Sequence, residues 1–343
     1  MNQRIIKPFS IFLFCCLALF VFSCEQLIFD QEVADNPRQN FEYLWKECNE
    51  KYSFFDYKKI DWQATYNKYS PQIKDKMTSD ELFKVLFAML NELQDGHVNL
   101  ISPFRSSRYD FDLLGPENYD LRVVRENYLK NDYVITGPFE HALVGSDKRI
   151  AYVRYSSFSD KVAPAYVNFL LSYYRNAQGL IFDIRQNGGG SAANIFKILN
   201  MMATKKTLLY NSYLKSGSGK DDFEGPQAVF VEPDKDRFNF TKKIVVLIDR
   251  GTFSAASFFA LGARELDNMI LMGDKTGGGL GLPNGGQLPN GWTYRFSISR
   301  TLSPAGENFE NGVPPDIQVL LKKSDRDRGI DTVIERAIEE LKK

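Results

Sequence analysis

The sequence predicts an α/β protein built on largely parallel strands, with a helical region ahead of them. Three observations carry that expectation. Strand-like and helix-like stretches alternate from Leu180 to Met272, as βαβ units do. The stretch Ile244 to Ile248 is wholly apolar, as a buried strand is. Before them, Phe41, Leu44, Trp45 and Cys48 recur at helical spacing.

Taken in order, the elements begin with a leader. Arg4 and Lys7 precede an apolar run from Phe9 to Phe22, too short to span a bilayer at about 20 residues and shaped like a signal peptide. Its end, Val21-Phe22-Ser23-Cys24, resembles a bacterial lipobox, in which the cysteine is diacylated and becomes the new N-terminus. A plain secretory signal and a retained anchor helix are the alternatives. The expected division is therefore a leader over 1–23, a polar tether over 24–39, a helical subdomain over 40–96, and a main domain over 97–343 with a small β-rich insert at about 102–148. A lipid on Cys24 implies a membrane-anchored protein of the bacterial cell envelope.

Thr78-Ser79-Asp80-Glu81 is a capping box, and Leu82, Val85, Leu86, Met89, Leu90 and Leu93 follow on one helical face until Gly96. From His97 the pattern shortens to strands, at 97–101, 133–135 and 150–153. Helices are expected over Ala193 to Met202 and Ala255 to Glu265, and strands over Leu180 to Ile184 and Met269 to Met272. Pro289-Asn290-Gly291 marks a hairpin feeding the strand Tyr294 to Ser299. Ile330, Val333, Ile334, Ala337, Ile338 and Leu341 make one face of a closing helix.

Composition excludes some functions. Basic and acidic residues both number 43, so no net field attracts nucleic acid. Cys15 and Cys16 lie in the leader and lipid would block Cys24, which leaves Cys48 as a lone thiol at a position that suits a small core residue. No His and Cys cluster exists for zinc, and no cofactor is expected.

Chemistry has few candidates. The chain has two histidines, His97 and His141, and His97 follows Asp95-Gly96 at a helix-to-strand turn that can aim a side chain outward. A structural histidine at a junction is the alternative. Next, Leu180 to Ile184 runs into Gln186-Asn187-Gly188-Gly189-Gly190 and a helix; such a turn exposes amides to an anion or a developing oxyanion, or is simply a tight turn. It lacks the spacing of a phosphate-binding loop. Third, Ile244 to Asp249 leads to Thr252-Phe253-Ser254-Ala255-Ala256 and a helix, which places Ser254 at a strand-to-helix turn with the Ala255 amide beside it. There Ser254 is either a nucleophile or a helix cap.

Together these segments resemble the carboxyl-terminal processing peptidases (tail-specific proteases) and the related tricorn protease core. Asp95-Gly96-His97, the turn Asp183 to Gly190, and Thr252 to Ala256 match that pattern, as do Gly273 to Gly278 and Gly312 to Asp316. The resemblance implies a crotonase-like spiral of βαβ units and a serine peptidase acting on peptides or unfolded protein segments. It implies Ser254 as nucleophile, His97 as general base, Glu310 as the acid supporting the site, with Glu307 close by, and an oxyanion hole from Gly189 or Gly188 with Ala255. The processing branch has a lysine where Gly279 stands here; Lys275 is the substitute it would suggest. Ser257 occupies a usual glutamate position, and nothing between His97 and Ile150 resembles a PDZ module. A peptidase fold that binds a peptide or lipophilic ligand without turnover is the second hypothesis.

Overall fold

The computed structural model describes residues 35–109, 115–131 and 133–343, so the leader, Cys24 and most of the tether lie outside the described residues. Among those described, no helix is long and apolar enough to cross a membrane. The first helix, Pro37–Lys51, starts ahead of the expected Phe41 because the Asn36 side chain accepts from Gln39 N and Pro37 suits a first turn. It buries Phe41, Leu44 and Cys48. Burial pushes the Cys48 thiol pKa well up, so this cysteine is an inert core group. In the Ser79–Asn91 helix both bonds of the Thr78–Glu81 capping box form.

The chain then enters strands β1 (Asn99–Ile101) and β2 (Ser106–Arg108). After a helical turn over 121–129, β3 (Val134–Thr136) and β4 (Phe139–Val144) form a hairpin that leads into β5 (Ile150–Tyr155). From there the chain winds as βα units. The Pro164–Tyr173 helix connects β5 to β6 (Gly179–Asp183), its parallel neighbour. The Ala192–Met202 helix and an excursion through β7 (Thr207–Lys215) and β8 (Phe223–Val231) lead to β9 (Ile244–Ile248), again the adjacent parallel strand. The Ala255–Arg264 helix leads to β10 (Met269–Gly273), next in line. The hairpin β11 (Pro283–Gln287) and β12 (Thr293–Ser297) turns at Gly291, and β13 (Ser299–Leu302) follows at once in a different sheet. A short β14 (Ile317–Gln318) closes the main sheet, whose order is β14-β10-β9-β6-β5-β4-β3.

Every parallel step thus moves one strand further across the sheet. Alternation sends Leu180, Phe182, Val246 and Ile248 to the face covered by these helices, and Ile181, Val245 and Leu247 to the face covered by the Thr332–Leu341 helix. All five side chains of β9 are buried, each worth about 1.5–3 kcal/mol over exposure, which explains a run with no polar residue. Arg185, fully buried at the end of β6, donates to Asp183 and to Asp331 at 3.0 Å. Asp331 also caps the closing helix through the amides of Val333 and Ile334. That guanidinium therefore ties the last helix to the sheet.

The N-terminal helices form a second core with Trp292, in the turn between β11 and β12, and with Tyr294 and Phe296 of the four-stranded sheet β11-β12-β1-β2. The two cores meet where His97 faces the ends of β6 and β9.

Candidate active site

Ser254 and the glycine turn follow neighbouring parallel strands, at the carboxyl edge where open α/β sheets place ligands. Asp249 knits the two turns: its Oδ1 accepts from the amides of Gln186, Gly251 and Thr252. Ser254 has φ 54° and ψ −122°, a conformation that a non-glycine residue keeps only when its surroundings impose it. The imposing bonds are Ser254 N to Gly278 O and Phe253 N to Asn187 O, both 3.0 Å. Although Ser254 stands at the N-cap of the Ala255–Arg264 helix, its side chain makes no capping bond. Its hydroxyl lies 2.9 Å from His97 Nε2 instead. The capping alternative therefore does not describe this serine.

His97 arrives on a tight turn after Leu93. Asp95 Oδ1 accepts the His97 amide at 2.8 Å, and Ser297 Oγ donates to Asp95 Oδ2 at 2.8 Å. Arg295 Nε donates to the His97 carbonyl at 3.3 Å, and the Phe253 ring packs on the imidazole with centroids 4.8 Å apart. Only 4% of His97 is exposed, and this burial lowers its pKa, with the Asp95 charge pulling the other way. The ring is thus neutral at pH 7 and able to accept a proton. Its Nδ1 has no hydrogen-bond partner among the described residues. His141 lies elsewhere, between Thr136 Oγ1 and Tyr174 Oη, and burial lowers its pKa to about 4. It is a structural residue.

In the glycine turn Gly189 N donates to Asn187 Oδ1 at 3.0 Å. At φ +95° its backbone abuts the nucleophile turn, and a Cβ there would sit 2.7 Å from Phe253 O. The amides of Gly188 and Ala255 have no hydrogen-bond partner among the described residues, and a Cβ on Gly188 would meet nothing within 4 Å. These two donors border the cleft, Ala255 at a helix N-terminus where the backbone favours negative charge.

Glu310 is buried close to this machinery without touching the imidazole. Its Oε2 accepts from Leu280 N at 2.6 Å and Gly281 N at 3.1 Å. Burial, then the nearby Asp95 charge, raises its pKa to about 8. Glu307 lies in a separate turn, where its amide donates to Ser303 Oγ at 3.1 Å. Lys275 Nζ donates to Asn311 O and makes no bond to Ser254. At Gly279, φ +74°, a Cβ would come within 2.4 Å of the Phe253 ring, so the ring that packs on His97 leaves no room for a lysine at this position. Ser257 is fully buried and bridges Thr252 O to Thr276 Oγ1 at 3.0 Å each, which braces the nucleophile turn against the following loop.

His97, Ser254, Gly188, Ala255, Phe258 and Arg295 all line one open cavity of about 380 Å³. Among the described residues no group of His, Cys, Asp and Glu is placed to hold a metal ion. The sequence pointed to Ser254, His97 and the glycine turn. It gave no role to Asn187, Phe253, Ser297 or Arg295, although alternation along β12 already puts Arg295 and Ser297 on one face.

Comparison with known proteins points to one family. Residues 149–319 match the model of peptidase family S41, and residues 34–91 that of the Tricorn protease C1 domain. A Parabacteroides merdae protein solved as a candidate peptidase shares 38% identity over 90% of this chain and 97% of its own, with a TM-score of 0.86. Carboxy-terminal processing protease CtpA of Bacillus subtilis is 27% identical over 51% of this chain, which spans 36% of that relative. Mature CPAF, at 14% identity over 90% of this chain and 96% of its own, has the same fold with a TM-score of 0.65.

Proposed function

Because the chain belongs to peptidase family S41, we propose that it is a serine peptidase hydrolysing peptide bonds in peptides or unfolded protein segments, with Ser254 as nucleophile and His97 as base. The observation that carries this is the 2.9 Å contact between Ser254 Oγ and His97 Nε2, made by a serine that leaves its own helix uncapped. A protein that only bound ligands would have no use for that contact.

In the proposed cycle the neutral His97 accepts the Ser254 proton as Oγ attacks the scissile carbonyl. The amides of Gly188 and Ala255 receive the resulting oxyanion, about 3–4 kcal/mol for each donor. His97 then gives the proton to the departing amine, and water repeats the sequence on the acyl-enzyme. Glu310 acts at one remove, holding the Leu280–Gly281 backbone through its two hydrogen bonds. Residues 40–96 serve as the helical subdomain and 97–343 as the catalytic domain. A lipid on Cys24 would hold the enzyme on the outer membrane, on its periplasmic or surface side, and loss of metabolic fatty-acid labelling in Cys24→Ser tests that assignment.

The catalytic assignment is tested by intact-mass detection of a fluorophosphonate adduct on protein lacking residues 1–24. The expected result is one adduct that Ser254→Ala and His97→Ala both abolish. A folded parent that takes no adduct would overturn the proposal.

A further inference from the structure

The three-stranded sheet β13-β7-β8 gathers two cations away from the reaction cavity. Arg300 of β13 stands in register with Tyr213 of β7, and Lys215, two residues along β7, with Phe223 of β8. Cross-strand partners and next-but-one neighbours share a face, so these four side chains meet. The Arg300 guanidinium carbon lies 4.1 Å from the Phe223 ring centre and 5.1 Å from that of Tyr213. Lys215 Nζ lies 5.0 Å from the same Phe223 ring, so two like charges share one aromatic side chain.

Neither cation forms an ion pair among the described residues. Lys215 Nζ donates to the Gly219 carbonyl, and Asp222 Oδ2 is taken by the Gly219 amide. Burial lowers the Lys215 pKa, against the pull of Asp222 and Asp221. Arg300 Nε is buried with no hydrogen-bond partner, and its two Nη groups, which are not buried, make no bond among the described residues either. Both cations line a cavity of about 60 Å³, together with Lys220, Asp56 and Ser53, whose hydroxyl is also buried without a partner. Three cations there face one carboxylate, Asp56, which lies 3.6 Å from Lys220. Two positive charges are left over, in a space too small for a peptide segment.

We propose that this cavity binds a doubly charged tetrahedral oxyanion, as free phosphate or sulfate or as the head of a phosphate monoester. The planar Arg300 fork can meet two of its oxygens, and Lys215 supplies a second, compact charge. The bound anion ties the β7–β8 excursion and β13 to residues 53–57. None of the residues lining this cavity lines the reaction cavity, so the two sites can be filled together. A bonded path nevertheless joins them: Ser53 N donates to Ser297 O at 3.1 Å, and Ser297 Oγ donates to Asp95, which holds the His97 amide. The inference does not depend on the peptidase assignment above.

The test melts the full-length protein in detergent and Tris buffer at pH 7, with sodium phosphate, sodium sulfate or phenyl phosphate titrated against sodium chloride at matched ionic strength. At a hundredfold excess over Kd the doubly charged anions should raise the melting temperature by about 3–5 °C over chloride, saturably. Arg300→Gln should abolish that difference, Arg300→Lys should keep part of it, and Lys215→Gln should weaken the apparent affinity about tenfold. Should Arg300→Gln fail to fold by circular dichroism, Lys215→Gln carries the test. Hydrogen exchange with phosphate present should slow at residues 53–57 and 299–302. Phenyl phosphate binding at least tenfold more tightly than phosphate identifies a monoester as the ligand, and equal affinity identifies the free anion. An equal rise in chloride, a rise that persists in both Arg300→Gln and Lys215→Gln, or protection confined to other segments would overturn the site.

Discussion

Ser297 and Asp95 lie 202 residues apart in the chain, yet a hydroxyl-to-carboxylate bond of 2.8 Å joins them. The bond fastens β12 to the turn that presents His97. Replacing Ser297 with Ala leaves a buried carboxylate oxygen without its donor, at a cost of about 1.5–3 kcal/mol. The expected outcome is a melting temperature lower by about 4–10 °C, read by scanning calorimetry, with slower fluorophosphonate labelling because the turn loosens. An unchanged labelling rate would mean that Asp95 holds the turn through the His97 amide alone.

Glu310 predicts a pH dependence of stability. Its folded pKa, near 8, lies above its ordinary 4.5, so the folded protein keeps a proton that the unfolded chain gives up. Stability contributed by this group is therefore lost as pH rises from about 4.5 to about 8 and is flat beyond. Glu310→Gln stays neutral and can still accept from Leu280 and Gly281 through its amide oxygen. Thermal melts across this range should fall less steeply for the variant than for the parent; parallel curves would show that Glu310 does not set the trend.

The two glycines beside the nucleophile should answer differently to a methyl group. In Gly189→Ala the new Cβ meets Phe253 O at 2.7 Å and Ala255 N at 2.9 Å, whereas in Gly188→Ala it meets nothing within 4 Å. Displacing the Ala255 donor should cost Gly189→Ala at least about 100-fold in labelling rate, with circular dichroism unchanged. Gly188→Ala should lose only a few-fold. Equal effects would argue against the role of the nucleophile turn.

Arg185→Met strips the guanidinium from between Asp183 and Asp331 and leaves two buried carboxylates unpaired. Loss of one partner from a buried ionic cluster costs about 3–5 kcal/mol. The melting temperature should drop by roughly 10 °C, and the Thr332–Leu341 helix should exchange its amide hydrogens early.

What the sequence revealed, and what it concealed, follows from how local each signal is. The Thr78–Glu81 box, the Gly291 hairpin and the apolar β9 run act through neighbours in the chain, so all were visible there. The strands β7 and β8 were not. β7 is mostly half-buried and does not alternate, and β8 carries Gly225 and Pro226, which read as a turn. The expected strand Tyr294 to Ser299 is cut at Ile298, where the chain changes sheets, and no local pattern encodes that change. At the site, Ser254 and His97 could be named because few residue types do their chemistry. That Gly189 donates to Asn187, and that Glu310 turns to two backbone amides, depends on side-chain directions that only the assembled fold sets.

The β7–β8 excursion leaves the main sheet after Met202 and returns at Ile244, while the strands on either side of it, β6 and β9, remain direct neighbours. The pairing of β6 with β9 therefore does not depend on how far the chain travels at the tip of the excursion. Its tip, residues 216–222, touches the rest of the molecule through an exposed Lys220–Asp56 pair at 3.6 Å. Length is cheap at that point. It is the natural port for splicing in a reporter or a second recognition module while the chemistry keeps its geometry.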